Sequence, residues 1–489
     1  MSACDNGWFQ RAGIALLTDF YELTMMAGYL KDGRTEQRVS FDYFFRNLPT
    51  HTGFAVAAGL DCFLSYLEHL RFSESDLAYL KSLGMFEKVF LDYLRDFKPR
   101  CTVRAVPEGT FVFPGEPVIQ VEGPIIDAQL VETALLNMVN HQTLIATKAA
   151  RVCLAAEEDP VLEFGLRRAH GPDGGLSASR ASYIGGCAST SNVLAGKVYG
   201  VPVTGTHAHS WVMGFPSELE AFRAFARLYP DRCVLLVDTY DSVKSGIPNA
   251  IQVFREMREA GLNPRPAVRL DSGDLAKISK ICHAMMQTAG LEDPMIVASN
   301  DLDEDLIADL KRQGARINAW GVGTQLITAY DAPALPGVYK LVSIKTEAGW
   351  QPRMKVTSNI EKATDPGRKQ LVRYFDADGQ PLGDMLYLEG ETWPESGTIE
   401  GRSRKNPHAA RRIENAAGAQ CLLETVFEGG RRVQPGRPLD ALRDTMLKER
   451  DRFPEEYKRL RNPEIFRVLL STKLGEMKDG MLMNPESAQ

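Results

Sequence analysis

No C-x-x-C pair occurs in this chain of 489 residues, although eight cysteines are scattered through it (Cys4, Cys62, Cys101, Cys153, Cys187, Cys233, Cys282 and Cys421). That pattern excludes a cysteine-built zinc module and points to reduced thiols, not a disulfide framework. Basic charge is not in surplus either. A net charge of −6 and a pI near 5.9 leave no bulk electrostatic footprint for nucleic acid, while still allowing a locally basic pocket for a small anion. No apolar run is long enough to span a bilayer, and Asp19 and Glu22 interrupt the one early apolar stretch. The first residues lack the basic head and apolar core of a secretory signal. No G-x-G-x-x-G lies after the first strand of the middle region, which weakens a dinucleotide-binding fold. What remains is a cytoplasmic protein without nucleic-acid or membrane partners. Its 44% hydrophobic content suffices for two or three domains.

Residues 1–135 read as an α+β unit. Leu16 to Leu30 has helical periodicity behind the capping pair Thr18-Asp19, and Arg38 to Phe45 alternates and is aromatic, as strands are. Helical segments follow at Leu60 to Leu70, from about Ser73, and at Phe86 to Phe97. Then come short β runs between Cys101 and Val121, punctuated by Pro107, Gly109, Pro114, Gly115 and Pro117. A helical stretch from Asp127 to Ala156 closes this part.

Residues 136–340 have a different rhythm. Apolar runs at Val161–Phe164, Val201–Val203, Val234–Val237, Ala267–Leu270, Met295–Ala298 and Ala319–Val322 alternate with helical segments. Near-continuous apolar strands separated by helices predict a parallel sheet covered on both faces, hence an α/β class and a barrel or doubly wound sheet. Six such units predict a barrel that is incomplete. Residues 341–489 form a third, C-terminal region of β runs (Val338–Ile344, Gln370–Phe375, Met385–Leu388) and charged helices (Leu439–Arg450, Glu455–Leu460), with a last strand at Phe466–Leu470.

In a parallel barrel the chemistry sits at the carboxyl ends of the strands. Here those ends are polar. Thr204-Gly205-Thr206-His207-Ala208-His209-Ser210-Trp211 follows the second run, with hydroxyls and imidazoles that suit either helix capping or catalysis. Arg167 and Arg168 follow the first run beside glycines and suit a carboxylate or phosphate, or a solvated turn. Asp238 ends the third, with Asp241 or Ser242 as caps. Arg269 and Asp271 alternate on one face at the end of the fourth, with Asp274 as a cap. Charges aimed into a barrel interior must pair with each other or face a ligand. Gly323-Thr324 ends the sixth, where glycine lets backbone N–H groups approach a phosphate. Trp211, Trp320 and Met285-Met286 read as core.

Three function classes fit such strand ends. A metal-dependent barrel hydrolase would use His207-x-His209 as ligands, but it needs further histidines, and only His283 and His408 lie downstream. A non-enzymatic binding protein does not call for charged groups at successive strand ends. A phosphoribosyl-handling enzyme calls for aspartates toward ribose hydroxyls and magnesium, and for a glycine-threonine turn toward the 5′-phosphate.

The ordered set of strand ends resembles nicotinate phosphoribosyltransferases of the type II phosphoribosyltransferase fold. The stretches that carry the resemblance are Leu16-Leu17-Thr18-Asp19-Phe20-Tyr21-Glu22-Leu23-Thr24-Met25, Phe164-Gly165-Leu166-Arg167-Arg168, Gly205-Thr206-x-Ala208-His209-Ser210, Leu236-Val237-Asp238-Thr239-Tyr240-Asp241, Arg269-Leu270-Asp271-Ser272-Gly273-Asp274, Ala298-Ser299-Asn300-Asp301 and Gly321-Val322-Gly323-Thr324. The resemblance implies an N-terminal domain, an incomplete barrel and a third domain, in a homodimer with active sites at the subunit interface. It implies condensation of nicotinate with 5-phosphoribosyl pyrophosphate to nicotinate mononucleotide, coupled to ATP hydrolysis, with magnesium. By the same resemblance His209 takes the ATP γ-phosphate transiently, and Tyr21, Thr206 and Arg269 contact nicotinate. Thr324 and Gly323 hold the phosphoribosyl phosphate, Asp238 and Asp271 hold the ribose side or its magnesium, and Arg168 meets pyrophosphate or nicotinate. His207 occupies the motif's variable position. The nicotinamide-using relative is the nearest alternative. The quinolinate-using relative needs a denser basic cluster than this sequence offers.

Overall fold

The computed structural model describes residues 14–49, 51–355, 363–404 and 410–484; Cys4 and His408 lie outside the described residues. The chain forms two compact units, one of residues 145–333 and one of residues 1–144 together with 334–489.

The first unit is built on a six-stranded sheet. In chain order its strands are β1 (Val161–Glu163), β2 (Ser189–Thr190), β3 (Val234–Leu236), β4 (Ala267–Leu270), β5 (Met295–Ala298) and β6 (Ala319–Val322). They lie in the order β2-β1-β6-β5-β4-β3, and every neighbouring pair is parallel. Helices Gly171–Ile184, Glu218–Leu228, Ile247–Glu259, Leu275–Thr288 and Glu304–Arg312 occupy the connections. Apart from the short, polar β2, the strands are mostly apolar and largely buried, as expected of a parallel sheet covered by helices.

One expected strand is absent from this sheet. Val201–Val203 contributes only a single parallel bridge, Val203 to Thr190, and the sheet member at that edge is the short β2. Pro202 lacks the N–H that a ladder needs, so the run joins β2 only through its carbonyl and through Thr204 N–H.

The sheet is curled, and the connection after Val203 shows it. Val203 sits on the free edge of β2, while Nε2 of His207 accepts the N–H of Leu236 in β3, at the opposite edge, at 3.2 Å. In a flat sheet those edges would lie more than about 20 Å apart at about 4.8 Å per strand. Four residues and a side chain cannot span that, since each residue extends at most about 3.6 Å. The incomplete barrel is therefore drawn shut by residues 203–207.

The second unit brings the chain's beginning and end into shared sheets. A seven-stranded sheet runs Gly349–Pro352, Gly337–Thr346, Arg38–Phe45, Ile119–Pro124, Thr102–Ala105, Glu424–Glu428, Arg431–Arg432. Arg38–Phe45 is buried on both faces beyond its first residue, not on alternate ones, and it pairs on its two edges with Gly337–Thr346 and Ile119–Pro124. Its Asp42 pairs with Lys369 at 2.8 Å. A six-stranded sheet contains Pro381–Leu388 and Lys369–Phe375, with a core of Val372, Tyr374, Met385, Ile399 and Ile413. Beside it Arg373 is fully buried between Asp384 (2.7 Å) and Glu449 (2.9 Å). The helix expected over Asp127–Ala156 is two, Ile125–Leu130 and Glu132–Ala156, interrupted at Val131.

Helix Phe20–Lys31 holds Glu22 sealed from solvent. Burial pushes its carboxyl up to about 7, the polar neighbours Gln129 and Tyr21 oppose the shift, and the charges of Glu132 and Asp19 add to it. The folded chain keeps this proton up to about pH 7, whereas the unfolded chain loses it near the ordinary glutamate value. The associated stability is thus complete below the ordinary value and is lost as pH rises through 7. Glu22→Gln is expected to raise Tm at pH 8 by about 2–4 °C and to leave it nearly unchanged at pH 4. Thermal scans at the two pH values check this, and an equal shift at both would contradict it.

Candidate active site

Because the six strands are parallel, their carboxyl ends share one rim, and the polar segments singled out in the sequence gather there. The loops fit closely. A Cβ on Gly165, after β1, would come within 2.4 Å of Ile327 Cβ, so only glycine allows that approach. Gly273, after β4, has a φ of +79°, which glycine adopts without strain.

Asp238 is the centre of the rim's hydrogen bonding. Its side chain is 2% exposed. Its Oδ1 lies 3.3 Å from Nε2 of His209, while its Oδ2 accepts Asp271 N–H at 3.0 Å and the Ser272 hydroxyl at 2.6 Å. Asp271 in turn accepts the Ser299 hydroxyl at 2.7 Å. His209 opens the helix His209–Met213 and is half-exposed, so one imidazole nitrogen is tied to the strand end while the ring stays accessible.

Arg269 occupies the same rim from β4. Its Nη1 donates to the Thr206 hydroxyl at 2.5 Å, and its Nε is buried with no acceptor among the described residues. Burial holds its guanidinium below the ordinary arginine value, Asp271 and Asp238 act in the opposite sense, and Arg167 adds a like charge. Arg269 and Asp271 are not hydrogen-bonded to each other: one bonds Thr206 and the other Ser299. An underused, partly desolvated guanidinium is a site waiting for an anion.

His207 faces inward. It is 7% exposed, and burial lowers its imidazole to about 4, keeping it neutral. Leu236 N–H is a donor, so the Nε2 that receives it carries no proton.

Gly323 caps the short helix Thr324–Ile327 at the end of β6, and both residues are partly exposed on the rim. Arg168 lies in the turn Leu166–Arg168 and is exposed. Tyr21 belongs to the other unit, on the first turn of Phe20–Lys31, and is 46% exposed. The hydrogen bonds thus connect His209 with Asp238, Asp238 with Asp271, and Thr206 with Arg269; Gly323, Thr324 and Arg168 share the rim outside that network. Asp241 caps the turn after Asp238, and Asp274 caps Leu275–Thr288, as expected. Trp320 is fully buried and bonds Asp159, and Trp211 bonds Ala221 O, so both are structural.

The sequence did not single out Ser272, Ser299 or Glu163 individually. Glu163 ends β1 fully buried, accepting the hydroxyls of Ser179 (2.9 Å) and Thr190 (2.5 Å) and the Gly165 N–H, and so ties the first two strand ends together. The available signal was weak. A carboxylate within an apolar run needs donors, but their positions depend on the sheet order.

Family models match this chain along most of its length. They are the nicotinate phosphoribosyltransferase N-terminal domain over residues 16–140, the nicotinate phosphoribosyltransferase family over 161–371 and the corresponding C-terminal domain over 368–478. The nicotinate phosphoribosyltransferase of Bacillus subtilis is 42% identical over 464 residues, covering 95% of this chain and 94% of the relative. The human one is 38% identical over 533 residues, covering 97% and 98%. The crystal structure of human nicotinic acid phosphoribosyltransferase superposes with a TM-score of 0.83 at 35% identity, covering 95% of this chain and 100% of that one. With a parallel barrel, a polar rim and matches of this extent, the chain belongs to the nicotinate phosphoribosyltransferase family.

Proposed function

We propose that this chain condenses nicotinate with 5-phosphoribosyl pyrophosphate, giving nicotinate mononucleotide and pyrophosphate for NAD salvage. A coupled ATP is hydrolysed to ADP and phosphate through a phosphohistidine at His209. The observation that carries the substrate assignment is the buried, partnerless Nε of Arg269 beside Thr206, since nicotinate brings the carboxylate that such a guanidinium lacks. Nicotinamide would offer a neutral amide there and leave the charge unpaired.

The other roles follow from placement on the rim. Thr324 and Gly323 receive the 5′-phosphate at a helix start, and Arg168, exposed in the turn Leu166–Arg168, meets pyrophosphate. Departure of pyrophosphate leaves an oxocarbenium-like ribose. The chain's contribution is therefore orientation and charge complementarity, with no protein nucleophile at the sugar. Among the described residues no group of three or more His, Cys, Asp and Glu side chains is arranged to hold a metal ion, which disfavours the metal-hydrolase reading. Magnesium fits in another way, since it is usually held by one or two carboxylates and the substrate's phosphates. Both oxygens of Asp238 already accept protein hydrogen bonds, so Asp271, beyond its bond to Ser299, is the better ligand. There the ion would neutralise charge on the departing pyrophosphate.

The homodimer with interface active sites belongs to the same proposal. Its support is the exposed apolar start of Phe20–Lys31, with Leu17, Phe20 and Tyr21, from which Tyr21 would stack on the nicotinate of a second copy. A cytoplasmic location accords with free thiols at the seven described cysteines and with the lack, among the described residues, of a helix long and apolar enough to cross a membrane.

The test is product formation from nicotinate or nicotinamide with 5-phosphoribosyl pyrophosphate and magnesium, with and without ATP. Mononucleotide should form from nicotinate at least about a hundredfold more efficiently than from nicotinamide, the scale of one buried charge pair. Product from nicotinamide and none from nicotinate would sink the assignment.

A further inference from the structure

Residues 203–209 close the barrel by two different means. At β2 the backbone does it: Thr190 N–H donates to Pro202 O and Thr204 N–H to Thr190 O, each at 3.0 Å. At β3 a side chain does it, with Leu236 N–H donating to Nε2 of His207 at 3.2 Å. Two residues further along both chains, Nε2 of His209 meets Asp238. The separation in sequence is 29 residues in each pair, so the segment and the strand keep one register, as neighbours in a parallel pair would.

We propose that His207 is a positioning residue: its imidazole stands in for a missing strand on the edge of β3 and thereby sets the register in which His209 meets Asp238. This rests on the reading of His209 as the phosphoryl carrier.

The chemistry of the position suits an imidazole. The edge amide of Leu236 is buried, and a buried N–H without an acceptor is costly. The ring proton therefore sits on Nδ1, which lies 3.5 Å from Ala208 O. Rotation of the ring is fixed by aromatic neighbours on helix Glu218–Leu228, Phe225 at 4.8 Å in an edge-on arrangement and Phe222 at 6.0 Å. Neighbour packing and the hydrogen bond thus specify one ring orientation, and the Ala208-His209 link carries that placement to the half-exposed carrier.

Two variants of the full chain test this. His207→Leu keeps apolar bulk against Phe225 and removes the acceptor, whereas His207→Gln puts a carbonyl oxygen near the position of Nε2. Amide exchange over residues 234–238 reads the cap independently of any phosphoryl chemistry. Exchange should be at least about tenfold faster in His207→Leu and within about threefold of the parent in His207→Gln, the scale of one hydrogen bond. Transfer of labelled γ-phosphate from ATP to position 209, corrected for folded fraction, should slow by about ten- to a hundredfold in His207→Leu and recover within about threefold in His207→Gln. The nicotinate KM should move less than about twofold in either, since Arg269 is untouched. Unchanged exchange in His207→Leu, labelling at the parent rate in that variant, or equal loss in both variants would each overturn the proposal. A parent protein that takes no label overturns the phosphohistidine reading and the catalytic half of this one, while the exchange measurement still decides the cap.

Discussion

Arg269→Ala is expected to raise the nicotinate KM by about a hundredfold, with kcat at saturating nicotinate changed far less. Truncating one partner of a buried, hydrogen-bonded charge pair costs about 2–5 kcal/mol, and about 2.7 kcal/mol is already a hundredfold. The effect should appear in KM because the carboxylate of nicotinate is remote from the ring nitrogen that attacks ribose, so the contact is made equally in ground and transition states. The 5-phosphoribosyl pyrophosphate KM should stay within about twofold for the same reason. Arg269→Lys should fall between the two proteins. A lysine carries the charge but not the planar fork that can give one nitrogen to Thr206 and another to a carboxylate. Thr206→Val separates the contributions: it removes the hydroxyl that holds Nη1 and leaves the guanidinium in place, so its effect should be smaller, about three- to tenfold. The discrimination against nicotinamide should shrink in Arg269→Ala, since the charge that rejects the amide is gone. Steady-state kinetics on both substrates decide the matter, and an unchanged nicotinate KM would remove Arg269 from carboxylate recognition.

How far the sequence could reveal this site depends on which contacts are local. Alternation along β4 and into the residue after it is enough to predict that Arg269 and Asp271 share a face, and their polarity is enough to mark that face as a candidate site. Their partners are another matter. Thr206 lies 63 residues from Arg269 and Ser299 lies 28 residues from Asp271, and both meet them only because the sheet curls in its particular strand order. Strand identity failed where the backbone contradicted the apolar pattern. Val201–Val203 is apolar, but Pro202 cannot donate, while β2 is two polar residues that no periodicity would mark. Helix Gly171–Ile184 escaped notice because it begins with glycines and a proline, which lower helix propensity. In the other unit, Gly397–Ser403 and Ala410–Ala416 are rich in arginine and glutamate, and their pairing with each other outweighs that polarity. His207 shows the same limit in a single residue, since nothing local reveals that its acceptor faces an amide on the opposite edge of the sheet.

His209→Ala is expected to abolish transfer of the ATP γ-phosphate to the protein and to lower nicotinate-dependent ATP hydrolysis by more than about a thousandfold, as loss of a covalent nucleophile does. Formation of mononucleotide should persist at a low rate that no longer responds to ATP, because the ribose chemistry does not pass through the imidazole. The contacts of the two histidines distinguish them. His207 has Nε2 engaged by Leu236 and is buried, so it has no lone pair to offer an incoming phosphate. His209 is half-exposed, and its one hydrogen-bond partner on the ring among the described residues is a carboxylate. A carboxylate can only accept, so Nε2 of His209 is the donor and the free lone pair lies on Nδ1. The phosphate should therefore form its bond to Nδ1, with ADP leaving and the Nε2 proton retained against Asp238. Phosphorus NMR of the labelled protein distinguishes the two ring nitrogens. Asp238→Asn should slow labelling by about ten- to a hundredfold and not abolish it, since an amide can still orient the ring but cannot balance the imidazolium charge. Part of that loss will come from Asp271 and Ser272, which share the Asp238 carboxylate. Label that survives His209→Ala and disappears in His207→Ala would reverse the assignment, and phosphate found on Nε2 would break the argument that Asp238 holds that nitrogen during transfer.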